Sequence, residues 1–263
     1  MSKKILYTAL MGNYDSIHKV HMPNDWDCIM FTDLSSDRLP QNTGWKFIHI
    51  DTINQDLDNY SFAMKNRWFK FHPHILFPEN DISLYIDSNL SIADYSRLEH
   101  RLDQLISSRT PLSIPVHPSN TCVYKEILSV LEAKKQDVDR AYDSLVFLIS
   151  GNYPINNGLY ENNIIFRFHN HPLVISSNEL VWECLNKYAS RDQFFMVYSC
   201  WKFGLPIAAF FEDHVHVKLR NDIVWNKHFV RYSKKKKFKI IGIRILKMFK
   251  LHNTYQKFKK LFL

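Results

Sequence analysis

The stretch from Ile82 to Ile92 reads Ile-Ser-Leu-Tyr-Ile-Asp-Ser-Asn-Leu-Ser-Ile. Its apolar first half predicts a buried strand that ends at Asp87, Ser88 and Asn89. A carboxylate and an amide at the end of such a strand offer hard oxygen ligands, which suit Mg²⁺ or Mn²⁺. An Asx turn is the alternative interpretation, because Asp and Asn also hydrogen-bond their own backbone at turns.

Short apolar runs alternate with helical patterns through the first 230 residues. Amphipathic spacing predicts helices over residues 98–106, 123–131 and 178–188. Strands interspersed with helices predict an α/β fold with a largely parallel sheet, helices on both faces, and a ligand site at the carboxyl ends of the strands. The predicted strands are residues 5–10, 28–32, 46–50, 82–86, 112–116 and 164–168.

The composition excludes disorder of the whole chain, because 263 residues with 46% hydrophobic content can bury a full core. The four cysteines are widely spaced without a C-x-x-C pair, which predicts reduced, buried thiols. The N-terminus lacks the features of a signal peptide, and no run approaches the roughly 18 apolar residues that span a bilayer. A cytoplasmic location is therefore expected.

Positive charge is concentrated near the C-terminus. Residues 218–263 hold 15 Lys or Arg and one acid, whereas the preceding part holds 19 basic and 25 acidic residues. Aliphatic side chains interleave with the basic ones over residues 232–263, a pattern typical of an amphipathic helix on an anionic membrane surface. Nucleic acid and a solvated tail are the alternatives; the aliphatic content favours lipid, so no nucleic acid partner is expected. We predict a domain at residues 1–231 and a basic tail at 232–263.

Polar residues follow the first two predicted strands. Asn13 and Tyr14, after Gly12, are suited to hydrogen-bond and stack on a nucleobase, although a hairpin turn also explains Gly12 and Asn13. Asp33 is suited to accept a hydrogen bond from a base or a ribose, or to cap a turn. A single glycine supports neither a G-x-G-x-x-G dinucleotide fingerprint nor a P-loop.

A basic cluster precedes the strand that ends at Asp87. Lys65, Arg67 and Lys70 lie within six residues, and an Arg fork with a neighbouring Lys is suited to phosphate oxygens. A solvated helix face is the alternative interpretation.

Two further polar groups lie later in the chain. Glu161, Asn162 and Asn163 precede the predicted strand at residues 164–168 and are suited to sugar hydroxyls. Asp192 follows a predicted helix, where it either caps the next helix or faces a developing positive charge in a reaction centre.

Taken in order, these clusters resemble one family. The series is GNYD at 12–15, FTD at 31–33, KNRWFKFHPHILFP at 65–78, YIDSN at 85–89, GLYENNIIFRFHN at 158–170 and SRDQFF at 190–195. It is similar to the bacterial branch of the glycosyltransferase-like family whose plant members are the TOD/MUCI proteins, relatives of the retaining family-eight glycosyltransferases. The resemblance covers residues 5–230 and implies a GT-A-like nucleotide-diphospho-sugar transferase fold.

The resemblance also implies roles for individual residues. Asp192 and Gln193 match the pair beside the anomeric carbon in the relatives. The metal, Mn²⁺ or Mg²⁺, would be held by Asp87, by Asn89 in place of the second acid, and by His214 or His216. Glu161, Asn162 and Asn163 are assigned to the acceptor sugar. The residues assigned to the donor are Thr8, Asn13, Tyr14, Asp33, Lys65, Arg67, Asp87 and Ser88.

The expected activity is transfer of a sugar, with retention, from a UDP sugar to a saccharide or a lipid-linked saccharide. With the tail on the inner face of a bacterial membrane, the enzyme would serve surface polysaccharide or glycolipid synthesis. Two alternatives remain open: a non-catalytic membrane-associated module that binds a nucleotide or saccharide, and a metal-dependent nucleotidyltransferase or hydrolase.

Overall fold

The computed structural model describes residues 4–53, 56–133, 135–189, 191–213 and 215–228. The predicted tail at 232–263 and His214 lie outside these ranges. Nine strands are assigned within them: β1 (Lys4–Leu10), β2 (Trp26–Thr32), β3 (Lys46–His49), β4 (Ile82–Ile86), β5 (Leu90–Ile92), β6 (Leu112–Ile114), β7 (Ile164–Phe168), β8 (Ala208–Ala209) and β9 (Ile223–Trp225).

Seven of these strands form the central sheet, in the order β3-β2-β1-β4-β7-β6-β8. The pairs β1/β2, β1/β4, β2/β3 and β6/β8 are parallel, whereas β7 runs antiparallel to β4 and β6. Strands β5 and β9 form a separate antiparallel pair. This mixed, mostly parallel sheet flanked by helices confirms the predicted α/β class.

Four of the seven α-helices in the described ranges begin at a residue whose side chain caps the first turn. The Ser61 hydroxyl accepts from the backbone N–H of Met64 to start α1, and the Asp94 carboxylate accepts from that of Arg97 to start α3. The helices are α1 (Phe62–Phe71), α2 (Pro73–Leu76), α3 (Tyr95–Ser107), α4 (Val123–Glu132), α5 (Val138–Ser150), α6 (Pro172–Lys187) and α7 (Asp192–Phe203).

The alternation of side chains along β1 builds a core on each face of the sheet. Tyr7 packs into a cluster with residues of α1, α4, α5, α6 and α7. Leu6 points the other way, into a cluster with Leu84 of β4 and Leu102 of α3. A strand buried on both faces reads as a continuous apolar run, which is why β1 and β4 were predictable from sequence.

Some expectations need correction. Helix α6 begins six residues before the predicted start at Asn178. Arg191 is the N-cap of α7 and Asp192 is its first residue, so the interpretation of Asp192 as the cap is wrong. The hairpin interpretation of Gly12 and Asn13 is also wrong, because β1 and β2 are parallel. The cysteines are free as predicted, and all are buried except Cys28, which is half-buried.

The sheet topology gathers several loops at one edge. The carboxyl ends of the parallel strands β1, β2 and β4 lie together there, followed by Gly12, Asp33 and Asp87. Because β7 is antiparallel, its beginning lies at the same edge, and the Asp87 N–H donates to the Asn163 carbonyl (2.8 Å). The candidate site is therefore expected at this edge.

Gly44 provides a test of the loop between β2 and β3. Its φ is +83°, and an added Cβ would lie 2.0 Å from the Val20 carbonyl oxygen, whereas Gly204 (φ +66°) has open space around it. We expect Gly204→Ala to lower the free energy of unfolding by about 1–2 kcal/mol through backbone strain. Gly44→Ala should cost roughly 1–3 kcal/mol more, because the methyl group clashes with fixed backbone. Urea unfolding of both variants measures the difference, and equal losses would contradict the predicted clash.

Candidate functional site

An ammonium group between two carboxylates lies at the centre of the candidate site. Lys70, in the last turn of α1, places Nζ 2.7 Å from Asp192 Oδ2 and 3.4 Å from Asp87 Oδ1. The Lys70 and Asp192 side chains are 6% and 10% exposed, whereas that of Asp87 is 34% exposed. Nζ also lies 5.0 Å from the centre of the Tyr85 ring. Solvent therefore reaches this ion triad from the Asp87 side.

The backbone of Lys70 is anchored across the sheet. Its carbonyl oxygen accepts hydrogen bonds from Tyr7 Oη (3.0 Å) in β1 and from Arg167 Nη1 (2.7 Å) in β7. Arg167 Nη1 also donates to Tyr7 Oη (3.0 Å). All three residues are buried, so the position of Lys70 is set by the core.

The two carboxyl groups are shifted in opposite directions. Burial by itself would raise the pKa of Asp192, but the charges of Lys70 and Arg67 outweigh burial and hold this pKa below its usual value. Burial raises the pKa of Asp87, opposed by Lys70 and reinforced by the charge of Asp192. Asp192 is thus the carboxylate that stays ionised most persistently, and Asp87 is the one that accepts a proton more readily.

Arg67 lies beside the triad, as its place one turn before Lys70 requires. Its Nη1 donates to the Ala63 carbonyl (2.9 Å), and its buried Nε has no hydrogen-bond partner among the described residues. Lys65 instead places Nζ 3.9 Å from the exposed Asp58. Lys70 is thus part of the triad and Arg67 lies next to it, whereas Lys65 pairs with the surface residue Asp58.

The residues predicted to bind the nucleotide are dispersed around the ends of β1 and β2. Asp33 accepts two hydrogen bonds from the Gly12 N–H (3.0 and 2.9 Å), and Asn13 adopts a left-handed φ of 51°. Tyr14 is 47% exposed, and its ring packs on that of His228 with centroids 4.6 Å apart. Thr8 is fully buried inside β1, so it lies beneath the site surface.

A hydrogen-bonded cluster that sequence reasoning missed joins three distant segments. Ser88 Oγ donates to Asp15 Oδ2 (2.5 Å), and His228 Nδ1 lies 2.5 Å from Asp15 Oδ1. Asp15 belongs to the GNYD motif and offered a signal, whereas nothing in the sequence around His228 marks it. The cluster places the Tyr14 and His228 rings next to the end of β4.

A second polar group lies beside the start of α7. Glu161 Oε1 and His216 Nε2 form a hydrogen bond (3.1 Å), and the neighbouring His117 lies 3.7 Å from Glu126 Oε2. Gln193 Nε2 donates to the Tyr160 carbonyl (3.4 Å), which ties α7 to this segment. The side chains of Asn162 and Asn163 are buried, so within this predicted acceptor group Glu161 is the least enclosed.

The described members of the predicted metal set, Asp87, Asn89 and His216, make contacts with other protein groups, and His214 lies outside the described residues. Asn89 Nδ2 donates to the Asn226 carbonyl (3.2 Å), and the His216 ring uses Nε2 for Glu161 and Nδ1 to accept from the Lys218 N–H (2.9 Å). Within the described ranges, no three His, Cys, Asp or Glu side chains are arranged to hold a metal ion. Asp87, whose side chain is 34% exposed, is paired with the ammonium of Lys70 at 3.4 Å.

A separate charged groove lies between α3 and residues 210–223, and its basic and acidic side chains pair with one another. Arg220 pairs with Asp222 (2.7 Å), and Arg101 pairs with Glu212 (2.9 Å). Because these charges satisfy one another, the groove is a weaker candidate than the ion triad.

The similarity that comparisons with known proteins find is to solved structures. No protein-family model matches this chain, and no curated protein matches it. A solved structure described as the apo form of the bifunctional glycosyltransferase WbbM is similar over 79% of this chain, with a TM-score of 0.48 and 11% identity. This chain spans 38% of the length of that one. Among the described helices, none is long and apolar enough to cross a membrane.

The depressed pKa of Asp192 predicts a pH-dependent contribution to stability. That contribution is present above the ordinary pKa of an Asp and is lost as the pH falls through the folded-state value. We expect Asp192→Asn to lower the free energy of unfolding by about 3 kcal/mol at pH 7, because Lys70 loses its closest counter-ion. The loss should shrink between pH 5 and pH 3 in urea titrations.

Asp58→Asn is the control, because the Asp58 side chain is 95% exposed and, among the described residues, makes only the 3.9 Å contact with Lys65. This variant should follow the wild type at each pH. A constant deficit for Asp192→Asn from pH 7 to pH 3 would contradict the electrostatic origin.

Proposed function

We propose that this protein is a glycosyltransferase that moves a sugar from a nucleotide-sugar donor to a saccharide or lipid-linked saccharide acceptor. The observation that carries the proposal is the triad of Lys70, Asp87 and Asp192, with Arg67 beside it, at the edge where the parallel strands end. This edge is where open α/β sheets bind their ligands.

The charges of the triad suit the two halves of a departing donor. Breaking the bond between the anomeric carbon and the diphosphate leaves negative charge on phosphate oxygens and positive character on the sugar. Lys70 and Arg67 are placed to stabilise the first, and the persistently ionised Asp192 is placed to stabilise the second. Preorganised charges in a partly dry site are more effective than the same charges in water.

The nucleotide is assigned to the rim formed by the Tyr14 and His228 rings. An exposed aromatic face next to the end of β4 is suited to stack on a base, and Asn13 adds hydrogen-bonding groups beside it. UDP as the nucleotide and retention as the stereochemical outcome rest on the resemblance to the TOD/MUCI and family-eight proteins. The proposed role in bacterial surface polysaccharide or glycolipid synthesis rests on the same resemblance and on the basic tail.

The acceptor is assigned to the group at the start of α7. The carboxylate of Glu161, paired with His216, offers hydrogen-bond acceptors to sugar hydroxyls, and its buried Oε2 has no partner in the described part of the chain. Gln193 connects this group to Asp192, so an acceptor held here would lie next to the proposed reaction centre.

A panel of nucleotide sugars tests the proposed activity. The wild-type chain should release nucleoside diphosphate and transfer sugar from at least one donor, in buffer with or without Mn²⁺. Asp192→Asn should lower turnover by roughly 100-fold or more, because a charge that stabilises the transition state is lost. Asp87→Ala should also lower turnover, whereas the exposed Asp103→Asn on α3 should not. Equal turnover in all four proteins would refute the site assignment.

A non-catalytic binding module is the second candidate. The observation in its favour is Asn89, whose neutral amide stands in place of the second acid of the metal motif and donates to the Asn226 carbonyl. Calorimetric binding of a nucleotide sugar without any product would support this candidate. Release of pyrophosphate, in contrast, would indicate nucleotidyl transfer.

The basic tail is proposed to hold the protein on anionic membranes. Residues 234–263 contain 11 Lys or Arg and no acid, and each basic residue near such a surface contributes about 1 kcal/mol. The full chain should co-sediment with vesicles containing phosphatidylglycerol and not with purely zwitterionic vesicles. Truncation after Ser233 should abolish sedimentation while donor hydrolysis persists. Persistent binding of the truncated chain would contradict a role for the tail.

A further inference from the structure

The contacts of the predicted metal ligands raise the question of which cation serves the leaving group. The Asn89 amide nitrogen donates to the Asn226 carbonyl, and both ring nitrogens of His216 are hydrogen-bonded, while His214 lies outside the described residues. Asp87 instead faces the ammonium of Lys70. The described part of the chain thus places an amino group where the resemblance implies a divalent ion.

We propose that Lys70 is the built-in cation of this site, which receives the diphosphate of the donor and makes sugar transfer independent of a divalent metal. This inference rests on the proposed glycosyltransferase function and specifies how its leaving group is stabilised.

The unequal contacts of Lys70 support this role. Its Nζ lies 2.7 Å from the enclosed Asp192 but 3.4 Å from the more exposed Asp87. Asp192 therefore holds the ammonium, while the longer contact lies on the side that solvent and ligand can approach. A phosphate oxygen arriving beside Asp87 can take over that N–H without disturbing the pair with Asp192.

The position of Lys70 is fixed before any ligand binds. The two hydrogen bonds to its carbonyl from Tyr7 and Arg167 fix the backbone, and the Tyr85 ring lies alongside its Nζ. A charge that needs no reorganisation during the reaction stabilises a transition state most effectively. The arrangement differs from that of a mobile surface lysine, since Lys70 is 4% exposed.

Neighbouring charges complete the neutralisation. The positive charge of Arg67 lowers the pKa of both carboxyl groups of the triad, and the charge of Arg191 lowers the pKa of Asp192.

The reaction is balanced without a metal. The bond between the anomeric carbon and the diphosphate oxygen breaks, and its electron pair leaves with that oxygen. A lone pair of the acceptor hydroxyl forms the new bond to the anomeric carbon, and the hydroxyl proton passes to the departing diphosphate. Lys70 keeps its protons and lowers the energy of the leaving group through charge and hydrogen bonding.

The first test compares turnover of the full chain in excess EDTA with turnover in Mn²⁺ or Mg²⁺, using the donor identified in the panel. We expect undiminished turnover in EDTA and binding of UDP by calorimetry in the same buffer. Turnover that requires added Mn²⁺ or Mg²⁺ would overturn the inference while leaving the glycosyltransferase function intact. Absence of turnover in every buffer would overturn both.

The second test removes the amino group. Lys70→Ala should lower turnover by roughly 100-fold or more and weaken UDP binding, and propylammonium should restore part of the turnover whereas tetramethylammonium should not. Lys187→Met is the matched control, because Lys187 also pairs with a carboxylate (Glu183, 2.9 Å) but on the surface. Lys70→Arg, which keeps the charge, covers the case in which Lys70→Ala fails to fold; it should retain more turnover than Lys70→Met. Wild-type turnover in Lys70→Ala, or equal loss in Lys70→Arg and Lys70→Met, would overturn the role.

Discussion

The pairing of one buried ammonium with two carboxylates constrains the rest of the site. Lys70 is nearly inaccessible, and a lysine at that depth is stable as a cation only if counter-charges accompany it. Asp192 supplies the near contact and Asp87 the far one, so three elements, α1, α7 and the end of β4, must converge on the same point. A structure that satisfies this electrostatic requirement also brings the start of α7 against the edge of the sheet.

The support for this ion triad lies deeper in the core. Arg167 is fully buried in β7, and only its Nη1 has hydrogen-bond partners among the described residues. Burying a guanidinium without a carboxylate is costly, yet here it connects β7, β1 and the last turn of α1 through Tyr7 and the Lys70 carbonyl. Burial of Arg167 therefore lowers the stability of the fold but fixes the position of helix α1, and with it the position of Lys70.

Much of the fold followed from the sequence, because the strands that determine it are buried on both faces. β4 was predicted to the residue, and β1 within one residue, since neither leaves a polar position on an exposed face. The short strands β5, β8 and β9 were not predicted, because two or three residues carry little periodicity, and the equally short β6 was predicted two residues too long, as 112–116. The role of the basic cluster on helix α1 was ambiguous for a different reason. The helix buries Lys70, whereas a lysine in a sequence normally indicates a solvated helix face.

The candidate site was predictable in its parts but not in its pairings. Asp87, Arg67 and Asp192 were each singled out by residue type and position, and the structure brings all three together. Glu161 and His216 were assigned to an acceptor and to a metal, and they contact each other instead. Such pairings depend on the antiparallel insertion of β7 beside β4, which no local pattern encodes.

The same topology explains why the site is asymmetric. The enclosed side of the triad is built from core elements, so Asp192 is buried, ionised and fixed. The open side is built from loops at the strand ends, so Asp87 is accessible and more readily protonated. In the proposed reaction, the group that keeps its charge lies on the first side, and the group that makes room for phosphate lies on the second. The division follows from the element that carries each residue, since Asp192 begins helix α7 and Asp87 follows strand β4, and it gives two chemically identical carboxyl groups different environments.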